Sequence, residues 1–196
     1  MAGDLAAAAA AIDAANAEDP TLVELDGHPQ PLARAHGELA AAWLLRLDPG
    51  ATPAQQLAAR AHHLRRWLSP RDAFPAGRAG YLRWRTAAKR RHADEVAGIL
   101  EAHGFDADLV ARVQQLIRKE GLGADPAAQA HEDAACLAFL DTQLDALADD
   151  VGEDKAVEVL RKTAAKMSPA ALELAADARL SPRGRALLHA ALGRSA

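Results

Sequence analysis

Thr52-Pro53-Ala-Gln55-Gln-Leu57-Ala-Ala-Arg60-Ala61-His62-His63-Leu64-Arg65-Arg66-Trp67-Leu68-Ser69-Pro70 is the stretch that decides the fold. It opens as a helix opens, with threonine at the N-cap, proline at the first helical position and glutamine at the third. Leu57, Ala61, Leu64 and Leu68 then recur at helical spacing, and Ser69-Pro70 ends the pattern, because proline disfavours a helical residue before it. The same capped start returns at Asp125-Pro126, Ser168-Pro169 and Ser181-Pro182. Half of the chain is apolar, much of it alanine, while β-branched and aromatic residues are sparse, which favours helices over strands. The sequence therefore predicts an all-α fold, a single compact bundle of eight or nine helices over residues 1–196.

Working outward, helices are expected over Asp4–Ala17, Leu32–Leu47, Thr52–Leu68, Ala79–His103, Asp106–Glu120, Asp125–Ala148 and Glu153–Lys166, with two short ones at the end. Residues 18–31, with Gly27, Pro29 and Pro31, read as a loop, and Gly104 as a left-handed cap. The one cysteine, Cys136, has no internal disulfide partner, which points to a reducing compartment. No apolar run approaches a membrane span, and Ala6–Ala11 sits between Asp4 and Asp13 without the basic flank of a signal peptide, so a cytoplasmic protein with no membrane partner is expected. A Gly-rich phosphate loop, a Gly-x-Ser-x-Gly elbow and a Cys-x-x-Cys pair are all absent from the sequence, which disfavours nucleotide kinases, serine hydrolases and thiol redox enzymes.

Charge singles out the same stretch. Nine Lys/Arg lie between Arg65 and Arg91 against one acid, Asp72, a local +8 in a chain of net −4. A basic island on an acidic body is a candidate anion site. Arg66, Arg71, Arg78, Arg83 and Arg85 are its candidate anion ligands, since guanidinium meets phosphate oxygens bidentately. Trp67, Tyr81 and Trp84 are candidate stacking partners. The ordinary alternatives are a solvated face with surface ion pairs for the arginines and core packing for the aromatics.

A helical wheel places His36 in the apolar stripe of the second helix, His92 in that of the fourth and Asp133 in that of the sixth. His62 and His63 fall 100° apart, on opposite flanks, with His63 beside Arg60 and Trp67. One reading is a hydrogen-bonded core network, such as Asp133 with His92. The other is a divalent metal, Mn, Zn, Fe or Ni, held by His36, His63, His92 and Asp133, the last three also serving catalysis. His131 lies on a different wheel face, His103 reads as a C-terminal cap, and Asn16 and Asp19 read as caps that could also line the cleft.

The order His36, His62-His63, His92, Asp133 on successive helices resembles the HD superfamily of metal-dependent phosphohydrolases. That resemblance implies an all-helical HD-like core and a metal-bound hydroxide. The pattern departs where a His-Asp doublet would stand, since the residues here are His62-His63 and His63-Leu64. A broader resemblance is to the domain-of-unknown-function 4202 family. It rests on Ile12-Asp13-Ala-Ala-Asn16-Ala-Glu18-Asp19-Pro20, Leu57-Ala-Ala-Arg60-Ala-His-His63-Leu-Arg-Arg66-Trp67, Arg78-Ala-Gly80-Tyr81-Leu-Arg83-Trp84-Arg85, Glu132-Asp133-Ala-Ala-Cys136-Leu-Ala-Phe139-Leu and Arg161-Lys162-Thr163-Ala-Ala-Lys166-Met167-Ser168. It covers nearly the whole chain and implies no activity.

Two functions follow as expectations. The first is a metal-dependent phosphohydrolase acting on a small phosphorylated metabolite or nucleotide. The second is a non-catalytic RNA- or nucleotide-binding helical module, suggested by aromatics interleaved with basic residues over Tyr81–Arg91. The net charge of −4 disfavours a general nucleic-acid binder. A protein acting only by helical association has little support, because the helices leave no large apolar stripe over.

Overall fold

The computed structural model describes residues 3–193. Among these residues the chain forms nine α-helices and one short hairpin. The helices are α1 (Leu5–Asn16), α2 (Leu32–Leu47), α3 (Pro53–Arg60), α4 (Gly77–Ala102), α5 (Ala107–Arg118), α6 (Pro126–Val151), α7 (Glu153–Ala164), α8 (Pro169–Leu174) and α9 (Pro182–Leu192). The fold is all-α, and no helix is long and apolar enough to cross a membrane.

The caps do what their chemistry allows. Thr52 and Gln55 form the complete capping box of α3, and Asp125, Ser168 and Ser181 each accept a first-turn N–H ahead of a proline. Gly104 takes the left-handed conformation that follows a helix end, φ +78°.

Two elements differ from expectation. Residues 18–31 are not all loop: β1 (Leu22–Leu25) pairs antiparallel with β2 (His28–Pro31) across Asp26-Gly27, both at positive φ. Asp19 ties this hairpin down, its carboxylate accepting Thr21 N–H and, at the start of α2, Ala33 N–H, both at 2.9 Å.

The second difference lies in the opening stretch. Helix α3 stops at Arg60 rather than Leu68. Two residues of α1 cause this. Asp13 grips the Arg60 guanidinium through Nε at 2.7 Å and Nη2 at 2.5 Å. The Asn16 side-chain oxygen takes the backbone N–H of Arg65, which sits in the left-handed region at φ 48°. Between them the chain unwinds into three-residue turns, with Leu64 N–H on Ala61 O and Arg66 N–H on His63 O, before one 3-10 turn over Arg66–Leu68. A Cβ at Gly37 of α2 would collide with the Arg60 carbonyl oxygen, so α2 can approach this unwound corner only with glycine there.

The apolar interior falls into two clusters. One joins α2, α6, α7, α8 and α9 around Trp43, Leu44, Leu137 and Leu160. The other joins α1, α3, α4 and α5 around Ile12, Leu57, Val96 and Leu116. Alanine dominates both, so the helices pack closely with few bulky side chains. His36, His62, His92 and His131 are buried beside these clusters and belong to neither.

Candidate functional site

The unwound corner puts His62 and His63 side by side instead of on opposite flanks. Their rings stack at 4.5 Å, and His36, reaching over from α2, stacks on His63 at 4.2 Å. Ligand nitrogens of His36, His62 and His63 lie within 4.8 Å of one another. The wheel failed for this pair because it assumed helix through Arg65. One further change follows: His62, set aside on the sequence, joins His36 and His63.

His92 and Asp133 do not join that group. His92 donates its Nδ1–H to the His62 carbonyl at 2.9 Å, and its ring stands edge-on to His63 at 6.1 Å. It therefore fixes the corner from behind. Asp133 lines a separate cavity with Asp48, Gln55 and Ser168, where Oδ1 accepts Gln129 Nε2–H and, at the start of α8, the Ser168 N–H at 2.9 Å. That carboxylate is a cap. It is not paired with His92, so the network expected between them is absent too.

The three gathered imidazoles are neutral. Burial, with Arg66 and Lys119 nearby, lowers the His36 pKa to about 3. Burial likewise holds His62 and His63 well below 6.5. His36 Nδ1 lies 3.3 Å from the Thr142 hydroxyl, which donates to Ala138 O at 2.6 Å, and 3.2 Å from the side-chain amide nitrogen of Gln143. His36 Nε2 is buried with no partner among the described residues. His62 Nδ1 meets His131 Nε2 at 3.0 Å, so a second imidazole supports the first. Three neutral nitrogens, two of the three rings oriented by partners behind them, make a ligand set for a divalent transition metal.

These imidazoles form one wall of a cavity of about 640 Å³. Helix α4 contributes Tyr81, Trp84 and Arg85, α6 contributes Glu132, Cys136, Phe139 and Gln143, α7 contributes Val159, Lys162 and Thr163, and the turn after α7 contributes Lys166. Arg66 stands beside His63, its guanidinium 4.7 Å above the Trp84 ring. It is half-buried and has no carboxylate partner among the described residues. Burial, then the Arg85 charge beside it, lowers its pKa. Arg85 lies over Tyr81 at 5.8 Å. On the opposite wall Glu132 is buried between Lys119 and Lys166. Burial alone would raise that carboxyl, but the two ammonium groups bring it down to about 2.

The predicted arginines and aromatics divide. Arg66, Arg85, Tyr81 and Trp84 line the cavity. Arg71 and Trp67 line a smaller neighbour of about 210 Å³, which also includes Asp19, His63 and Arg66. Arg71 is occupied with its own loop, donating to Phe74 O at 2.9 Å and Pro75 O at 3.0 Å. Arg78 and Arg83 are exposed and line neither. Trp84 also donates its indole N–H to Ser69 O at 2.8 Å, which pins α4 to the corner.

Sequence reasoning missed His62, His131, Lys119, Glu132, Gln143, Lys162 and Lys166. A signal existed for part of this: Glu132, Cys136, Phe139 and Gln143 share one face of α6, and Val159, Lys162 and Thr163 share one face of α7. Lys119 had none, since it reaches inward from a left-handed helix end at φ 61°.

The chain is thus a small all-helical protein with a histidine-walled, cation-rich cavity. It belongs to the family described as Domain of unknown function (DUF4202), whose family model matches residues 6–188. Comparison with curated proteins and with solved structures gives no match.

Proposed function

We propose that the chain is a metal-dependent phosphohydrolase acting on a small phosphorylated molecule. In this reading His36, His62 and His63 hold one divalent transition metal, and Arg66 and Arg85 hold phosphoryl oxygens. The observation that carries it is the gathering of three imidazoles, with ligand nitrogens within 4.8 Å of one another, on the cavity that also contains Arg66, a half-buried guanidinium without a counter-ion among the described residues. Arg66 is half-buried against Trp84 with no carboxylate beside it, which leaves its guanidinium available to an anion. Three protein ligands leave coordination positions open, as catalytic sites require. A bound ion supplies an acidified water and polarises a phosphoryl oxygen. The chain's own groups then orient the phosphate beside Trp84, and the apolar wall of Phe139, Leu147 and Val159 excludes water from the organic part.

The test is metal analysis of protein purified without chelator, together with hydrolysis of p-nitrophenyl phosphate after adding Mn, Zn, Fe or Ni. A bound metal near one per chain, and hydrolysis lost in His63→Ala, support the proposal. No bound metal, and no hydrolysis with any of the four, overturn it.

A second reading, non-catalytic binding of single-stranded RNA, is favoured by one feature. Arg78, Leu82 and Arg83 are exposed together on the outer face of α4. Salt-sensitive binding of a fluorescent oligonucleotide, weakened in Arg83→Ala, would favour it over hydrolysis.

A further inference from the structure

The cations of the cavity come from two parts of the chain. Arg66, whose N–H bonds the His63 carbonyl, belongs to the unwound corner, and Arg85 lies beside it on α4. In the other part His131 bonds His62, and the next residue of α6, Glu132, bonds Lys119 and Lys166, with Lys162 on the adjoining face of α7.

Arg66, Arg85, Lys119, Lys162 and Lys166 face a single carboxylate, Glu132, which leaves the lining at +4 in a chain of net −4. Glu132 compensates one of its two lysines. Lys162, Arg66 and Arg85 have no carboxylate partner among the described residues. A phosphate monoester carries at most about two negative charges, so one such group answers only half of this excess. The cavity, about 640 Å³, is also of a size that takes a whole organic ligand.

We infer that the ligand carries two phosphoryl groups, one at the Arg66 and imidazole end and the second among Lys119, Lys162 and Lys166. The inference deepens the phosphohydrolase reading and rests on it for the anion-binding role of the cavity. Two arrangements share this chemistry, a diphosphate and an organic molecule phosphorylated at two separated positions.

The test is calorimetric binding to the metal-free full chain, so that chelation of metal by the probes does not enter. The probes are orthophosphate, inorganic diphosphate, a hexose monophosphate and a hexose bisphosphate. At least one probe with two phosphoryl groups should bind about tenfold or more tighter than its counterpart with one, the order expected of an added charge-assisted contact. Which of the two shows the preference tells adjacent from separated groups. Lys162→Ala, at an exposed position that should not disturb folding, should abolish the preference. Arg83→Ala removes the same charge outside the cavity and should change nothing.

Equal binding of one- and two-phosphoryl probes would overturn the inference and leave the hydrolase reading standing. So would a preference that survives Lys162→Ala, or one that Arg83→Ala removes equally. Failure of all four probes to bind would overturn the anion-binding role itself, and the inference with it.

Discussion

Two flanks of α6 bury polar side chains and use them differently. Away from the cavity, Asp141 accepts the Trp43 indole N–H at 2.5 Å and the Arg179 backbone N–H at 2.7 Å, and Asp133 caps α8. Their partners are fixed donors of the fold, two of them backbone. Toward the cavity, the groups are saturated only from behind. His36 and His62 each bond one nitrogen to the protein, Lys119 and Lys166 share one carboxylate, and Arg66 has only the face of Trp84. A buried polar group whose partners all belong to the chain holds the fold. One whose remaining capacity faces a cavity is available to a ligand.

The widest gap between the flanks should appear in metal affinity. His62→Ala or His63→Ala should weaken Zn or Mn binding about 100-fold or more, measured by competition with a chelator, while Asp133→Ala leaves it unchanged. If Asp133→Ala instead abolishes binding, the division of α6 is misdrawn. Next comes stability. Asp141→Ala strands two buried donors, so urea denaturation should show a loss of about 2 kcal/mol with metal affinity intact.

Acid should separate the flanks more gradually. His36, His92 and His131 each titrate at about 3 in the folded chain, because burial opposes their charged forms. Unfolded, each takes up a proton near 6.5, so between these values the unfolded chain binds more protons. Stability of the metal-free protein is therefore full above pH 6.5 and falls as pH drops toward 3. The slope is about 1.4 kcal/mol per pH unit for each such imidazole, readable from denaturation curves across pH. A flat profile from pH 7 to 4 would show that these rings are not buried as described. The smallest effect belongs to Cys136, whose thiol is pushed up to about 11 by burial and by Glu132. Alkylation at pH 7 should be slow, and Cys136→Ala should cost about 1 kcal/mol of stability.

What could be read in advance follows from the range of the forces involved. Helix starts are written in three or four consecutive residues, so Thr52, Asp125, Ser168 and Ser181 announced their helices, and the all-α fold with them. The end of α3 is written elsewhere, in Asp13 and Asn16 of α1, more than forty residues away. A wheel drawn through Arg65 therefore put His62 and His63 on opposite flanks. His36 and His63 were legible as candidates because each combined a ligand-type ring with an apolar or basic surrounding. Asp133 was legible as buried, and its task was not, because the Ser168 N–H it receives belongs to another helix. The hairpin over Leu22–Pro31 was hidden by its two prolines, which read as loop but sit on a two-stranded ribbon with free edges.

Crystals soaked in Mn or Zn and measured at the absorption edge of the metal provide the decisive observation. A single anomalous peak should lie among His36, His62 and His63, about 2.0–2.2 Å from one nitrogen of each ring. A peak beside Asp133, or none in the histidine-walled cavity at saturating metal, would contradict the assignment.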